Sequence, residues 1–174
     1  NNYFDAWTTC YGWIRRINEF LDGLESHKSN FSESDYGRFR AEALYYRAYA
    51  YFLIMRSHAS VKDDLGVILN LDINSFDADN RVHRRASVSD SYDCIAIAHL
   101  PEPANAAGRL NCHAANALKA RAMLYAGRYD KAQAAVEAIV NSGLYGYIDD
   151  YSAIFRDLKN REVIWGYGYE AGTL

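Results

Sequence analysis

A twelve-residue stretch of this chain recurs with six identities. Ala41 to Phe52 reads AEALYYRAYAYF and Ala115 to Ala126 reads ANALKARAMLYA, with identities at Ala41/Ala115, Ala43/Ala117, Leu44/Leu118, Arg47/Arg121, Ala48/Ala122 and Tyr51/Tyr125. The offset of 74 residues is about two helix-hairpin units of the roughly 34-residue kind, in which small residues at fixed positions let helices approach closely. A chain built this way is constrained to stack helix hairpins.

Periodicity and punctuation extend that reading. Trp7, Tyr11, Ile14, Ile17, Leu21 and Leu24 lie on one helical face, which predicts a first helix over about Phe4 to Leu24. Ser32, with Asp35 three residues on, resembles a capping box with Asp in place of Glu and starts a second helix reaching His58. At about 1.5 Å per residue that helix is a rod of roughly 39 Å. The helical period is lost from Ala59 to Arg85. Ser87 repeats the Ser-x-x-Asp signal for a third helix carried by Tyr92, Ile95 and Leu100 and stopped by Pro101, with a turn up to Arg109. Asn111 caps a fourth helix through Ala126, Gly127 stops it, and Asp130 caps a fifth reaching Ser142-Gly143, with Ala132 packing against its predecessor. Val163-Ile164-Trp165-Gly166-Tyr167 has the residues of a terminal strand.

The expected fold is all-α, tetratricopeptide-like helix hairpins with one long irregular loop and that strand. It is read as a single helical-repeat domain over 1–174: two helices in 1–58, loop in 59–87, three helices in 88–143, and an irregular end in 144–174.

A chain of 174 residues buries roughly 70% of its unfolded surface as one domain. Half its residues are apolar and 14% aromatic, with 15 Tyr and two Pro, a composition opposed to disorder. The net charge of −3, with both signs interspersed, excludes the concentrated basic face that nucleic acid requires. Cys10, Cys94 and Cys112 are odd in number and lack CxxC spacing, so buried free thiols are expected rather than zinc or a disulfide framework. No apolar run reaches membrane-spanning length. The first residues carry no signal peptide, and Cys10 follows polar and aromatic residues instead of the apolar run that precedes a lipid-attachment cysteine. Any signal is expected upstream.

Little of the sequence points to catalysis. Asp63-Asp64 and Asp149-Asp150 are adjacent carboxylates, not the opposed pair of glycoside hydrolysis. The five histidines lack ligand spacing, and the glycines from Gly166 to Gly172 are mis-spaced for a dinucleotide loop. We expect no enzyme, no cofactor and no metal. Tyr36, Tyr45, Tyr46, Tyr49 and Tyr51 of the second helix read mainly as packing residues. Trp7 shares the buried face of the first helix and Trp13 lies off it. Arg47 and Arg121 read as scaffold. Ligand contacts are expected on the loop from Asp72 to Arg85, where Asn74, Phe76, Asn80 and Arg81 combine an aromatic face with polar groups.

Taken in order, the segments resemble the N-terminal half of SusD/RagB-like proteins. The first helix carries Trp7, Tyr11, Ile14, Asn18, Phe20 and Leu21. The second carries the signature Glu42-Ala43-Leu44, Arg47-Ala48 and Tyr51-Phe52, and Arg85, Ser87, Tyr92 and Ile95 follow. From Gly108 the blocks Gly-Arg-x-Asn, Ala-x-x-Ala-Leu-Lys-Ala-Arg-x-x-Leu-Tyr, Tyr-Asp-Lys-Ala, Ser-Gly-x-Tyr, Tyr-x-x-x-Phe and Glu-Val-Ile-Trp complete the likeness. Two departures stand out. The Gly-x-x-Pro after the second helix is replaced by His58-Ala59-Ser60-Val61, and Ile97 to Pro101 matches the family's Asp-Leu-x-x-Ala poorly.

The resemblance implies a non-enzymatic, surface-exposed outer-membrane lipoprotein that binds oligosaccharide or polysaccharide. It implies a TonB-dependent transporter as partner, with the family's signal peptide and C-terminal half outside this chain. The alternative on the same fold is a helical-repeat scaffold holding a protein or peptide partner.

Overall fold

The computed structural model describes residues 5–76, 84–95, 100, 109–156 and 160–166; of Ser75 and Phe76 only the backbone is described. It divides into two compact units, Asn1–His99 and Leu100–Leu174. Both are helical, and no strand occurs among the described residues.

The first unit is a helix hairpin with an extended segment bound to it. Helix α1 spans Ala6–Ser26, and the Asp5 carboxylate accepts from the Thr8 N–H at 3.2 Å as its cap. Helix α2 spans Glu33–His58 behind a 3-10 turn, Lys28–Asn30. Ser32 caps α2, its Oγ accepting from Asp35 N at 3.0 Å. The box is altered, however: the Asp35 carboxylate accepts from Ser32 Oγ and from Arg38. Helix α1 buries Cys10, Ile14, Asn18 and Leu24. Helix α2 buries residues on several sides, including Ala41, Ala48, Tyr51, Phe52 and Ile54. It therefore shows none of the one-sided patterning of a surface helix.

After α2, Ser60 and Leu65 exchange backbone hydrogen bonds across a tight turn in which Asp64 takes φ 49°. Asp64 also accepts from the Val88 N–H at 2.9 Å, and Ser87 Oγ accepts from Asp90 N at 3.0 Å. Both cap helix α3, Val88–Ile95.

Between these elements Gly66 to Asp72 runs extended with no neighbouring strand, buried at Gly66, Val67 and Asn70 and exposed at Leu71 and Asp72. Unpaired backbone groups would be costly at the buried positions, and the Ala86 backbone and several side chains supply partners. Gly66 N donates to Ala86 O (2.8 Å), and Ala86 N to Val67 O (2.7 Å). Gly66 O accepts from Arg85 Nε (2.8 Å), and Val67 N donates to Ser91 Oγ (3.1 Å). The Tyr11 hydroxyl accepts from Ile68 N (2.8 Å) and donates to Ile68 O (3.0 Å). The Tyr51 hydroxyl does the same at Asn70, at 2.7 and 2.8 Å. A phenol that is both donor and acceptor thus replaces a neighbouring strand at alternate residues. The segment ends in a 3-10 turn, Ile73–Phe76, packed on α1.

The second unit is a shorter hairpin. Helix α4, Cys112–Tyr125, is capped as expected by Asn111, whose side chain accepts from Ala114 N at 2.9 Å. Gly127 at φ 70° closes it, with Arg128 N bonded to Met123 O and Gly127 N to Leu124 O, the paired bonds of a Schellman motif. That turn is so short that helix α5, Tyr129–Val140, begins at once. Asp130 therefore lies in the first turn instead of capping it, where a carboxylate still favours the helix dipole. Ala132, Ala135 and Ile139 form the buried side of α5. A four-residue helix α6, Ala153–Arg156, follows.

The expected terminal strand is not formed by residues 163–166, which are bend and irregular chain; Tyr167 lies outside the described residues. Local bonds, Val163 N to Asn160 O and Gly146 N to Arg161 O, hold this region, and no strand among the described residues is there to pair with it.

Two outcomes follow from the clamped segment. A Cβ at Gly66 would meet Ser91 Oγ at 2.1 Å, Ser87 O at 2.5 Å and Ala86 O at 2.9 Å, so Gly66→Ala should cost about 1–3 kcal/mol, read from the urea midpoint. Burial raises the Tyr11 hydroxyl from its ordinary 10 to about 12 and pushes Tyr51 up as well. Their stabilisation is complete below pH 10, where the unfolded chain also keeps its protons. The Tyr11 part is lost as pH rises from about 10 through 12, and the Tyr51 part over a higher range. Alkaline unfolding followed by tyrosinate absorbance should be shallower in Tyr11→Phe.

Candidate functional site

A polar network at the end of the extended segment reaches a groove in the first unit through Arg47. Asn18, buried on α1, donates through Nδ2 to Asn70 O (2.9 Å) and Asp72 O (3.0 Å). Its Oδ1 accepts from Arg47 Nη1 (2.9 Å), and Arg47 also reaches Leu71 O (2.7 Å). Arg47 is therefore scaffold, as expected. Its repeat counterpart Arg121 is exposed.

Arg47 borders a groove of about 910 Å³ between the end of α1, the 3-10 turn and the first half of α2, with Glu25, Lys28, Phe31, Tyr36 and Arg40 among its walls. A recess of about 190 Å³ shares Glu25, Tyr36, Arg40, Leu44 and Arg47 and runs to Leu71. The larger volume lies within the roughly 300–1,000 Å³ typical of small-molecule sites.

Tyr36 and Arg40 stand one turn apart on α2. The Tyr36 hydroxyl donates to the Glu25 carboxylate, and Lys28 Nζ lies 4.6 Å from the centre of its ring. The hydrogen bond to Glu25 raises the Tyr36 pKa most, desolvation adds to this, and the Arg40 charge opposes it. Beyond Phe31 a separate apolar pocket of about 460 Å³ is lined by Phe20, Leu24, His27 and Phe39. The groove thus offers apolar ring surface, cationic donors and carboxylate acceptors side by side, a set suited to holding a polyhydroxylated ligand.

Among the described residues no group of three His, Cys, Asp or Glu is gathered to hold a metal, and no helix is long and apolar enough to cross a membrane.

Of the residues expected to contact ligand, Asn74 is exposed on the 3-10 turn that follows the clamp. Phe76 ends that turn, and Asn80 and Arg81 lie outside the described residues. The structure therefore places Asn74 and the backbone of Phe76. The groove residues Glu25, Lys28, Tyr36 and Arg40 were not legible as a site. The available signal is the i, i+4 pairing of Tyr36 and Arg40, whereas the run of tyrosines on the second helix assigns Tyr36 mainly to packing. That assignment holds for Tyr45 and Tyr51, which are buried, but Tyr46 and Tyr49 are 36% and 40% exposed. Trp13 is exposed as expected, while Trp7 is half-buried against Tyr11 and His58. Cys10 is a buried free thiol, and Cys94 and Cys112 are free and half-buried.

A SusD-like family model, described as starch-binding and associating with the outer membrane, matches residues 1–124. The chain belongs to this SusD-like family. No curated protein is detectably similar in sequence. Among solved structures, a SusD-like protein from Bacteroides fragilis NCTC 9343 is 25% identical with a TM-score of 0.80, over 97% of this chain and 34% of that one. A SusD-like carbohydrate binding protein from Bacteroides vulgatus ATCC 8482 shares the fold at 20% identity and a TM-score of 0.78, over 95% of this chain and 37% of that one. A laminarin binding SusD-like protein does so at 23% and 0.71, over 88% and 35%. This SusD-like chain spans about a third of the length of those structures.

The Arg47 contacts make a paired prediction. Arg47→Met keeps most of the side-chain volume but removes the donor to Leu71 O and Asn18 Oδ1, and should lower stability by about 1–3 kcal/mol. Arg121→Met should change it by less than about 0.5 kcal/mol. Parallel urea titrations measure both.

Proposed function

We propose that this SusD-like chain takes part in capturing glycans at the outer-membrane surface, as part of a non-catalytic lipoprotein that passes oligosaccharide to a TonB-dependent transporter for import. Family membership supports this reading, as do the carbohydrate-binding and laminarin-binding proteins that share the fold. The observation that carries it is the groove. Phe31 and Tyr36 offer apolar surface to the C–H faces of sugar rings, and Lys28, Arg40 and Glu25 surround them with hydrogen-bonding groups for hydroxyls. In this reading the segment from Asp72 to Arg85 adds contacts through Asn74, Phe76, Asn80 and Arg81, starting from the turn that Asn18 and Arg47 anchor.

Affinity electrophoresis through gels containing soluble polysaccharides tests the proposal. The chain should be retarded by at least one glycan, and Tyr36→Ala should abolish retardation without lowering the thermal midpoint by more than a few degrees. Asn74→Ala should weaken it. Retardation unchanged in Tyr36→Ala would move the glycan away from the groove. No retardation by any glycan, with a protein partner recovered instead, would replace glycan capture by the scaffold reading.

A further inference from the structure

The groove's charges divide into those already engaged and those left over. The Glu25 carboxylate accepts from the Tyr36 hydroxyl. Arg47 holds Asn18 and the Leu71 carbonyl. Glu33 stands in the first turn of α2, where the helix dipole favours a carboxylate. Lys28 and Arg40 remain. Both are exposed, and among the described residues neither is in an ion pair.

Both line the groove beside one aromatic ring. Lys28 Nζ stands over the ring of Tyr36, and Arg40, one turn along α2 from Tyr36, lies on the wall of the same groove. Tyr36 is itself held in place by Glu25. Two cations around a fixed ring, with apolar Phe31 and Leu44 beside them, match an anionic group carried on a body with both hydroxyls and C–H surface. A guanidinium matches a planar carboxylate bidentately, and an ammonium adds a point charge.

We propose that the groove selects acidic sugars, seating the carboxylate of a hexuronate residue between Lys28 and Arg40. This rests on the glycan-capture reading and narrows it to a substrate class.

The test uses calorimetry at about 0.15 M salt, where the Debye length is about 8 Å and diffuse attraction is largely screened. The probes are an oligogalacturonate, the same oligosaccharide with its carboxylates methyl-esterified, and a neutral glucan oligosaccharide. The acid form should bind at least about tenfold more tightly than its ester, the effect of one good charge-assisted contact. Arg40→Gln and Lys28→Gln should each remove most of that preference. Both side chains are exposed, and circular dichroism should confirm an unchanged fold. Equal binding of acid and ester, or tighter binding of the neutral oligosaccharide, overturns the inference and leaves glycan capture standing. Equal binding of a polyglutamate chain, or full displacement by inorganic phosphate, overturns it in favour of plain charge attraction. If none of the three oligosaccharides binds and a broader neutral panel also fails, the inference and glycan capture fall together.

Discussion

Seven residues of extended chain, Gly66 to Asp72, lie against a helix hairpin without a strand beside them, and the first unit depends on how their backbone is satisfied. An extended segment in a sheet pairs its N–H and C=O groups with its neighbour. Here the phenols of Tyr11 and Tyr51 each take both groups of one residue, Ile68 and Asn70, and Asn18, Arg47, Arg85 and Ser91 take others. Losing one partner leaves a buried amide or carbonyl bare, and the cost of that exceeds the net worth of an ordinary hydrogen bond. The clamp therefore ties α1 to α2 and fixes where the following turn leaves the hairpin.

The same interaction explains what could and could not be read from sequence. Signals whose partners lie three to five residues away were legible: Ser32, Ser87 and Asn111 as caps and Gly127 as a stop all act where expected. Asp130 failed because its helix starts within the Gly127 turn, which no cap rule encodes. The strand expected at Val163 failed because β-type residues state a preference that only a partner can realise. The clamp joins residues 19 to 57 positions apart. Nothing local distinguishes a tyrosine that will bond a distant backbone from one that will face water. Tyr51 and Tyr49 differ in fate for that reason. The loop candidates show the same limit: composition marked a segment, and geometry fixes only its first turn.

The repeat makes a related point. Two of its three alanine pairs behave alike, Ala41 with Ala115 and Ala48 with Ala122 all being buried, while Ala43 is buried and Ala117 half-buried. Its polar residues do not. Tyr51 is fully buried in the clamp, while Tyr125 is 53% exposed; Arg47 is bonded to the extended segment, while Arg121 is exposed. Identity across the repeat thus transmits close helix packing, which each hairpin needs. The tyrosine and arginine acquire their role only in the first unit, where an extended segment lies against the hairpin.

That division bears on where a ligand site can form. Asn18 and Arg47 are committed to holding backbone, and a ligand that recruited them would have to release Leu71 and Asp72. Groups farther along the same helices and on the turn between them hold no backbone of that segment. Glu25 orients Tyr36, and Lys28 and Arg40 line the same groove, whose adjoining recess reaches Leu71. A hydrogen-bonded network beside a small set of cations unpaired among the described residues and a ring already oriented by Glu25 is the arrangement that holds a ligand at low ordering cost, because the supporting residues are fixed before it arrives. The chemistry of this surface therefore follows from what the extended segment left unused.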